Sequence, residues 1–221
     1  NSINIARLIP QSFYYFWAYK QLEDKSLPLY FSIPSGNFGN LTACLFAQAM
    51  GLPIKKIIAA TNANDIVPRY LETGNFEPKS SVSTISNAMD VGNPSNFTRI
   101  LDIYSGEWEL IKEDIKGYSF TDEQTEACIQ RVYKNTGYLI CPHTAVGWLA
   151  MEKFIGESVE PSNAVVLSTA HPVKFGDVIA PLIGKDVEIP ERLNSLLVNE
   201  KKSIPMSKNF DDFKAWLLNS K

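Results

Sequence analysis

LYFSIPSGNFGNLTACLFAQAMGLPIKKIIAA, residues 29–60, is the stretch from which the architecture follows. Residues 29–33 form a short apolar and aromatic run that ends at Pro34-Ser35-Gly36. Residues 41–50 are good helix formers with Gly51 after them, and residues 54–60 make a second apolar run. Strand, glycine-rich turn, helix and strand in this order and length are a βαβ unit, whose two strands run parallel. No charged residue occurs between Ser26 and Ile54. A membrane span is still excluded, because Pro34, Gly36, Asn37, Gly39, Asn40, Gln48 and Gly51 interrupt the stretch, and crossing needs roughly 18 consecutive apolar residues.

Alternation continues on both sides of this unit. Residues 3–21 are rich in aromatics and read as a helix that starts or kinks at Pro10. Downstream, residues 66–72 read as a helix closed by Gly74, and Pro94 opens another toward Tyr104. The segment 76–93 between them is polar and irregular apart from residues 82–85. Thr121-Asp122-Glu123-Gln124 is a capping-box signature for a helix reaching about Asn135, with Gly137 at its end. Residues 138–141 are a strand candidate, 143–154 a helix with Ala145, Trp148 and Leu149 on its apolar face, and 164–167 a buried strand. A helix follows Pro172 through residues 179–183, and residues 210–218 make a final amphipathic one. The expectation is an α/β fold with a mostly parallel sheet covered by helices on both faces, which puts ligand sites at the carboxyl ends of strands. It divides into a leading helix (1–25), an α/β domain (26–185) and a C-terminal linker and helix (186–221).

Composition narrows the function classes. With 221 residues, 45% hydrophobic and 20% charged, the chain is long enough to bury a continuous core without disulfides or structural metal. A net charge of −3 argues against nucleic acid or an anionic membrane as partner, since both call for a concentrated basic face. Cys44, Cys128 and Cys141 cannot all pair within the chain and match no zinc or redox spacing, so a reducing, cytoplasmic setting is expected. Residues 1–6 contain no secretory signal and no initiating Met, and the expectation is a longer natural chain.

Two strand ends carry chemistry. At Ser35-Gly36-Asn37-Phe38-Gly39-Asn40 a tight turn aims successive N–H groups inward and the following helix adds its positive end, which suits a phosphate. Neither a Walker lysine nor G-x-G-x-x-G is present, so a phosphate monoester fits better than a nucleoside triphosphate or a dinucleotide. A ligand-free βα turn remains an equal alternative here. At Ser168-Thr169-Ala170-His171-Pro172 two hydroxyls close a strand, although Thr169 bonding its own backbone and His171 capping the next helix would explain each singly. Cys141-Pro142-His143 is read as structural, because a nucleophile and its base rarely adjoin in sequence. With only His143 and His171 in the chain, no metal site is expected.

PSGNFGN at 34–40, LTA at 41–43, AATNANDIVPRYLETG at 59–74, SNAMDVGNPSNF at 86–97, PHTAVG at 142–147 and STAHPVKF at 168–175 occur in this order. Together they resemble the threonine synthase family, and NSIN at 1–4 is similar to the family's segment before the large domain. The resemblance implies the large-domain part of the fold type II, tryptophan synthase β-like architecture, with pyridoxal 5'-phosphate as cofactor. It implies conversion of O-phosphohomoserine and water to threonine and phosphate. Ser35, Gly36, Asn37, Phe38 and Gly39 would hold the cofactor phosphate, and Thr169 would face the pyridine nitrogen. Asn87, Asp90 and Lys174 would lie on the substrate side. The family's Schiff-base lysine precedes the NSIN block, so this chain is expected to lack it, to need a missing N-terminal part of the same protein, and to be inactive alone. Cys141 departs from the acidic residue that the family commonly places before Pro-His-Thr-Ala, which touches only a local cap.

Two other classes stay open at the level of sequence: a non-catalytic α/β module that binds a phosphorylated metabolite, and a structural domain whose polar strand ends are internally satisfied. The enzyme reading expects apolar surface near residues 13–19 to be exposed, while a self-contained module expects none.

Overall fold

The computed structural model describes residues 4–157, 160–193, 199–200 and 202–220, so most of the NSIN block lies outside it. The chain divides into Asn1–Val187 and Glu188–Lys221. The first unit holds a four-stranded sheet of β1 (Leu29–Pro34), β2 (Ile54–Thr61), β3 (Ile115–Ser119) and β4 (Asn163–Val166) in the order β3-β2-β1-β4. Every pairing is parallel. Its helices are α1 (Ile9–Lys20), α2 (Gly39–Ala49), α3 (Ile66–Thr73), α4 (Phe97–Ile103), α5 (Trp108–Asp114), α6 (Asp122–Thr136), α7 (Pro142–Gly156) and α8 (Gly176–Ile183). The second unit carries a helix at Phe210–Asn219, capped by Asn209 Oδ1 accepting from the Asp211 N–H.

β1 is buried on both faces, as a central parallel strand must be. Leu29, Phe31 and Ile33 enter one core together with Tyr15 of α1 and Leu41 and Leu45 of α2. The alternate residue Tyr30 joins Ile58, Val146, Ala150 and Met151 in the second core, under α7. α6 then packs outside α7 through Cys128, Ile129 and Val132 against Ala145. Period-two alternation in the strands thus assigns α1 and α2 to one face and α7 to the other.

Local signals set the helix ends. Pro10 stands in the first turn of α1, where its missing N–H costs nothing. The Thr121–Gln124 capping box is formed in both directions and Gly137 closes α6 in the left-handed region, φ 72°. α4 starts at Phe97, three residues after Pro94.

Three expectations need correction. Residues 138–141 form no strand; they connect the glycine cap of α6 to Pro142 at the start of α7, and Cys141 is the N-cap residue. β4 is an edge strand and not a buried one, with Ala164 exposed and Val165 and Val166 half-buried. α5 and β3, residues 108–119, have no counterpart in the sequence reading. β3 is five residues long with Lys116 and Gly117 inside it, so its apolar pattern is weak. Gly117 is there because of close approach: a Cβ would come within 2.8 Å of Pro68 Cα on α3.

Candidate functional site

The chain leaves β1 for α2 and β2 on one side, while β4 pairs on the other side. Connections diverge at the carboxyl end of β1, and such a switch point opens a crevice. A pocket of about 550 Å³ lies there, lined by Ser35, Gly36, Asn37, Phe38, Gly39 and Asn40 after β1, by Leu167, Ser168 and Thr169 after β4, and by Gln11 and Tyr14 of α1. The two polar strand ends singled out in the sequence therefore share one cavity. Gln11 and Tyr14 have no signal in the sequence, because α1 reaches the site only through its packing on α2.

The turn is held from several directions. The Ser35 N–H donates to Ala60 O at 2.8 Å, continuing the sheet ladder. Its hydroxyl donates back to Ile33 O at 2.9 Å, so both donors of Ser35 are engaged within the sheet and the residue anchors the turn. Gly36 packs on the segment that follows α3: a Cβ there would lie 2.6 Å from Met89 Cα and 2.9 Å from Ala88 O. Asn37 Oδ1 accepts from the N–H and hydroxyl of Ser95 at 2.6 and 2.9 Å, and Asn96 Nδ2 donates to Asn37 O at 3.0 Å. Tyr15, fully buried, donates its hydroxyl to Asn40 at 2.6 Å; burial pushes that phenol well above its ordinary range and keeps it a neutral donor.

Phe38 adopts the left-handed conformation, φ 60° and ψ 15°, unusual for a bulky residue. It turns the chain so that α2 begins at Gly39 with no side-chain cap among the described residues. The first N–H groups of an eleven-residue helix are thereby left without the oxygen that α6 receives from Thr121. Among the described residues, none that lines the pocket carries a charge. Backbone dipoles, not ion pairs, are what this cavity offers an anion.

The substrate-side candidates separate. Lys174 is exposed on the short turn Pro172–Phe175, which His171 caps through Nδ1 accepting from the Val173 N–H. Asn87 is exposed in the turn Asn87–Met89 that backs Gly36. Asp90 is engaged internally: Oδ1 accepts from Thr84 Oγ1 at 2.7 Å, Asn62 Nδ2 at 2.9 Å and Asn64 Nδ2 at 3.3 Å, and Oδ2 from the Thr84 N–H at 3.0 Å. Asn62 and Asn64 follow β2, are buried, and pin residues 82–90 to the sheet.

His143 is 5% exposed, and neither ring nitrogen has a hydrogen-bond partner among the described residues. Its ring lies 5.0 Å from Phe175. Burial lowers its pKa below the ordinary value of about 6.5, and the nearby charge of Asp90 opposes that only in part. Because the unfolded chain then binds the proton more tightly, stability is full above about pH 6.5 and falls as acid protonates the unfolded state, by at most about 1.4 kcal/mol per pH unit. We expect urea unfolding between pH 7.5 and 5 to show a loss that His143→Gln flattens; equal slopes in both proteins would remove His143 as its source.

Comparison with known proteins agrees with this geometry. The model of the pyridoxal-phosphate dependent enzymes matches residues 5–170, and that of the threonine synthase C-terminal region matches residues 144–216. The threonine synthase of Haemophilus influenzae is 40% identical over 222 aligned positions, covering 100% of this chain and 51% of that protein. The crystal structure of threonine synthase from Escherichia coli superposes with a TM-score of 0.88 at 35% identity, covering 100% of this chain and 51% of the other. For PLP-bound threonine synthase from Brucella melitensis the TM-score is 0.89 at 30% identity, over 98% and 51%. The chain spans about half the length of the relatives it matches. A parallel sheet with its crevice at the β1 switch point, and a family model that covers more than half of the sequence, have one common reading: the chain belongs to the pyridoxal-phosphate-dependent enzymes of fold type II, in the threonine synthase group.

Proposed function

We propose that this chain forms the phosphate-cradling side of the active site of a threonine synthase, which converts O-phosphohomoserine and water to threonine and phosphate in the cytoplasm. The uncapped start of α2 behind the Ser35–Gly39 turn, facing Thr169 across the ends of β1 and β4, carries this reading. The donor set fits a phosphate monoester: backbone N–H groups of a left-handed turn and a helix end, with no side-chain charge to be neutralised. Bound there, pyridoxal phosphate would supply the electron sink that the reaction at the substrate's carbons needs. Gly36, Asn37, Phe38 and Gly39 would hold its phosphate, and the Thr169 hydroxyl would orient the ring through the pyridine nitrogen. A neutral hydroxyl there would leave that nitrogen largely unprotonated, which would tune the sink instead of maximising it. Asn87, Asp90 and the loop around them back the turn, and Lys174 stands at the substrate side.

The lysine that anchors the cofactor and moves protons is assigned to the part of the enzyme outside this chain. Support comes from α1, where Phe13 and Trp17 are 61% and 62% exposed and Tyr14 leads from the pocket onto the same face. An apolar patch of this kind marks a surface that another segment covers. The buried free cysteines Cys44, Cys128 and Cys141 suit a reducing compartment. Among the described residues no helix is long and apolar enough to cross a membrane.

Borohydride reduction in the presence of pyridoxal phosphate, followed by peptide mapping, tests the assignment on the full-length natural product and on this chain in parallel. A modified lysine outside residues 1–221, with none modified and no turnover in the isolated chain, is the expected result. Modification of Lys174, or threonine formation by the isolated chain, would overturn the division of labour. Saturable binding of simple phosphate esters with no lysine modified in either protein would favour a binding module.

A further inference from the structure

Ser168 differs from its neighbours at the end of β4 in how its hydroxyl is committed. The β4 ladder ends where the Leu167 N–H donates to Ser32 O at 3.0 Å, after which Ser168 and Thr169 are exposed at the cavity. What ties Ser168 to the body of the domain is Thr144, 3% exposed in the first turn of α7, whose hydroxyl donates to Ser168 Oγ at 3.1 Å. Thr144 has a single hydroxyl proton. Once that proton is given to Ser168, the contact between Thr144 Oγ1 and Cys141 Sγ at 3.3 Å has one direction left, with the thiol donating. Cys141 is fully buried at the N-cap position of α7, and its thiol makes no cap bond to the helix backbone, so its S–H is available to Thr144.

This proton order has a consequence at the cavity. Ser168 receives a hydrogen bond from behind, so its own O–H is left to donate forward, and a serine held by one acceptor bond has fewer rotamers in which to do so. We propose that Ser168 is a further ligand of the pyridoxal phosphate bound in this pocket, presented as a donor to one of its lone-pair acceptors, and that Thr144 and Cys141 are the positioning residues that fix its direction. The inference deepens the reading of the pocket as a cofactor site and rests on it. It separates the two hydroxyls at the strand end: among the described residues Thr169 has no such side-chain partner, whereas Ser168 is oriented before any ligand arrives.

The test is an absorbance titration of the full-length natural product with pyridoxal phosphate, together with the absorption maximum of the bound form. Ser168→Ala is exposed enough to leave the fold intact, and is expected to weaken binding about three- to tenfold, the worth of one hydrogen bond. Thr144→Val should weaken it by a similar or smaller factor and Thr144→Ser should restore it. The double variant S168A/T144V should bind no more weakly than S168A, because Thr144 acts through Ser168. Unchanged affinity in S168A alongside a loss in Thr169→Val would overturn the role of Ser168 and leave the pocket reading in place. Additive losses in the double variant would overturn Thr144 as its positioning residue. Unchanged affinity in S168A, T169V and Gly36→Ala together would overturn the cofactor site itself, and this inference with it.

Discussion

Replacing Gly36 with alanine is expected to cost the full-length protein roughly ten- to a hundredfold in affinity for pyridoxal phosphate, the loss of one or two charge-assisted hydrogen bonds, while leaving it folded. The physical reason is backbone, not side-chain, crowding. A Cβ at Gly36 would stand 2.6 Å from Met89 Cα and 2.9 Å from Ala88 O, and neither can rotate away as a side-chain tip could. Either the Ser35–Gly39 turn moves toward the cavity or residues 86–90 move outward. The second route is resisted, since Asp90 and Ser86 are bonded to Asn62. The turn therefore yields, and the N–H groups before α2 lose their common focus. Overpacking of this sort costs about 1–3 kcal/mol, which for a chain of this size lowers the melting temperature by roughly 2–4 °C per kcal/mol. Thermal melts and a cofactor titration on the same preparation separate the two effects. A G36A protein that binds pyridoxal phosphate like its parent would mean that the turn does not hold the phosphate.

That Gly36 could be singled out at all shows where the sequence is informative. The βαβ unit was legible in residues 29–60 because β1 is buried throughout, β2 is buried from Ile57 onward, and the glycine-rich turn stands between them. α6 was legible because Thr121 and Gln124 satisfy each other's backbone within four residues. Such signals are local, and local signals survive without the fold. β3 had none: its place at the edge of the sheet depends on β2 and on the close approach of α3 at Pro68, 49 positions before Gly117 in the chain. Residues 138–141 misled in the opposite sense, since Ile140 and Cys141 are buried as strand residues would be yet lie in a connection whose length is set by Gly137 and Pro142.

The site divides in the same way. The turn after β1 and the hydroxyls after β4 could be named from sequence as strand ends, and the sheet order brings them to one cavity. Gln11 and Tyr14 could not, because they come from a helix outside the βαβ unit. Asn62, Asn64 and Thr84 sit in or beside segments whose sequence resembles the family, but what they do appears only in space: their shared partner is Asp90, up to 28 residues away. The carboxylate that sequence reading placed toward a substrate spends its oxygens on the chain itself.

Asp90→Ala should then be the most damaging single change outside the turn, lowering stability by about 2–3 kcal/mol, because several hydrogen bonds to one half-buried carboxylate go at once. Two donors on buried asparagines and two on Thr84 lose an acceptor at once, and an unsatisfied buried donor costs about 1–3 kcal/mol. Asn62 keeps Ser86 as an alternative partner, which is why the sum stays below four separate losses. Residues 82–90 would loosen first, and with them the support behind Gly36, so cofactor affinity falls alongside stability. The change also reaches His143. Asp90's charge is what favours the protonated imidazole against its burial; without it the folded-state pKa falls further below the unfolded value, the gap in proton binding widens, and acid destabilises the variant over a longer pH range than the parent. Urea midpoints at pH 7.5, 6.5 and 5.5 for D90A, H143Q and the pair together read this directly. A loss below about 0.5 kcal/mol at pH 7.5, the scale of an ordinary surface substitution, would show that the asparagines find other acceptors and that Asp90 is free to serve a ligand after all.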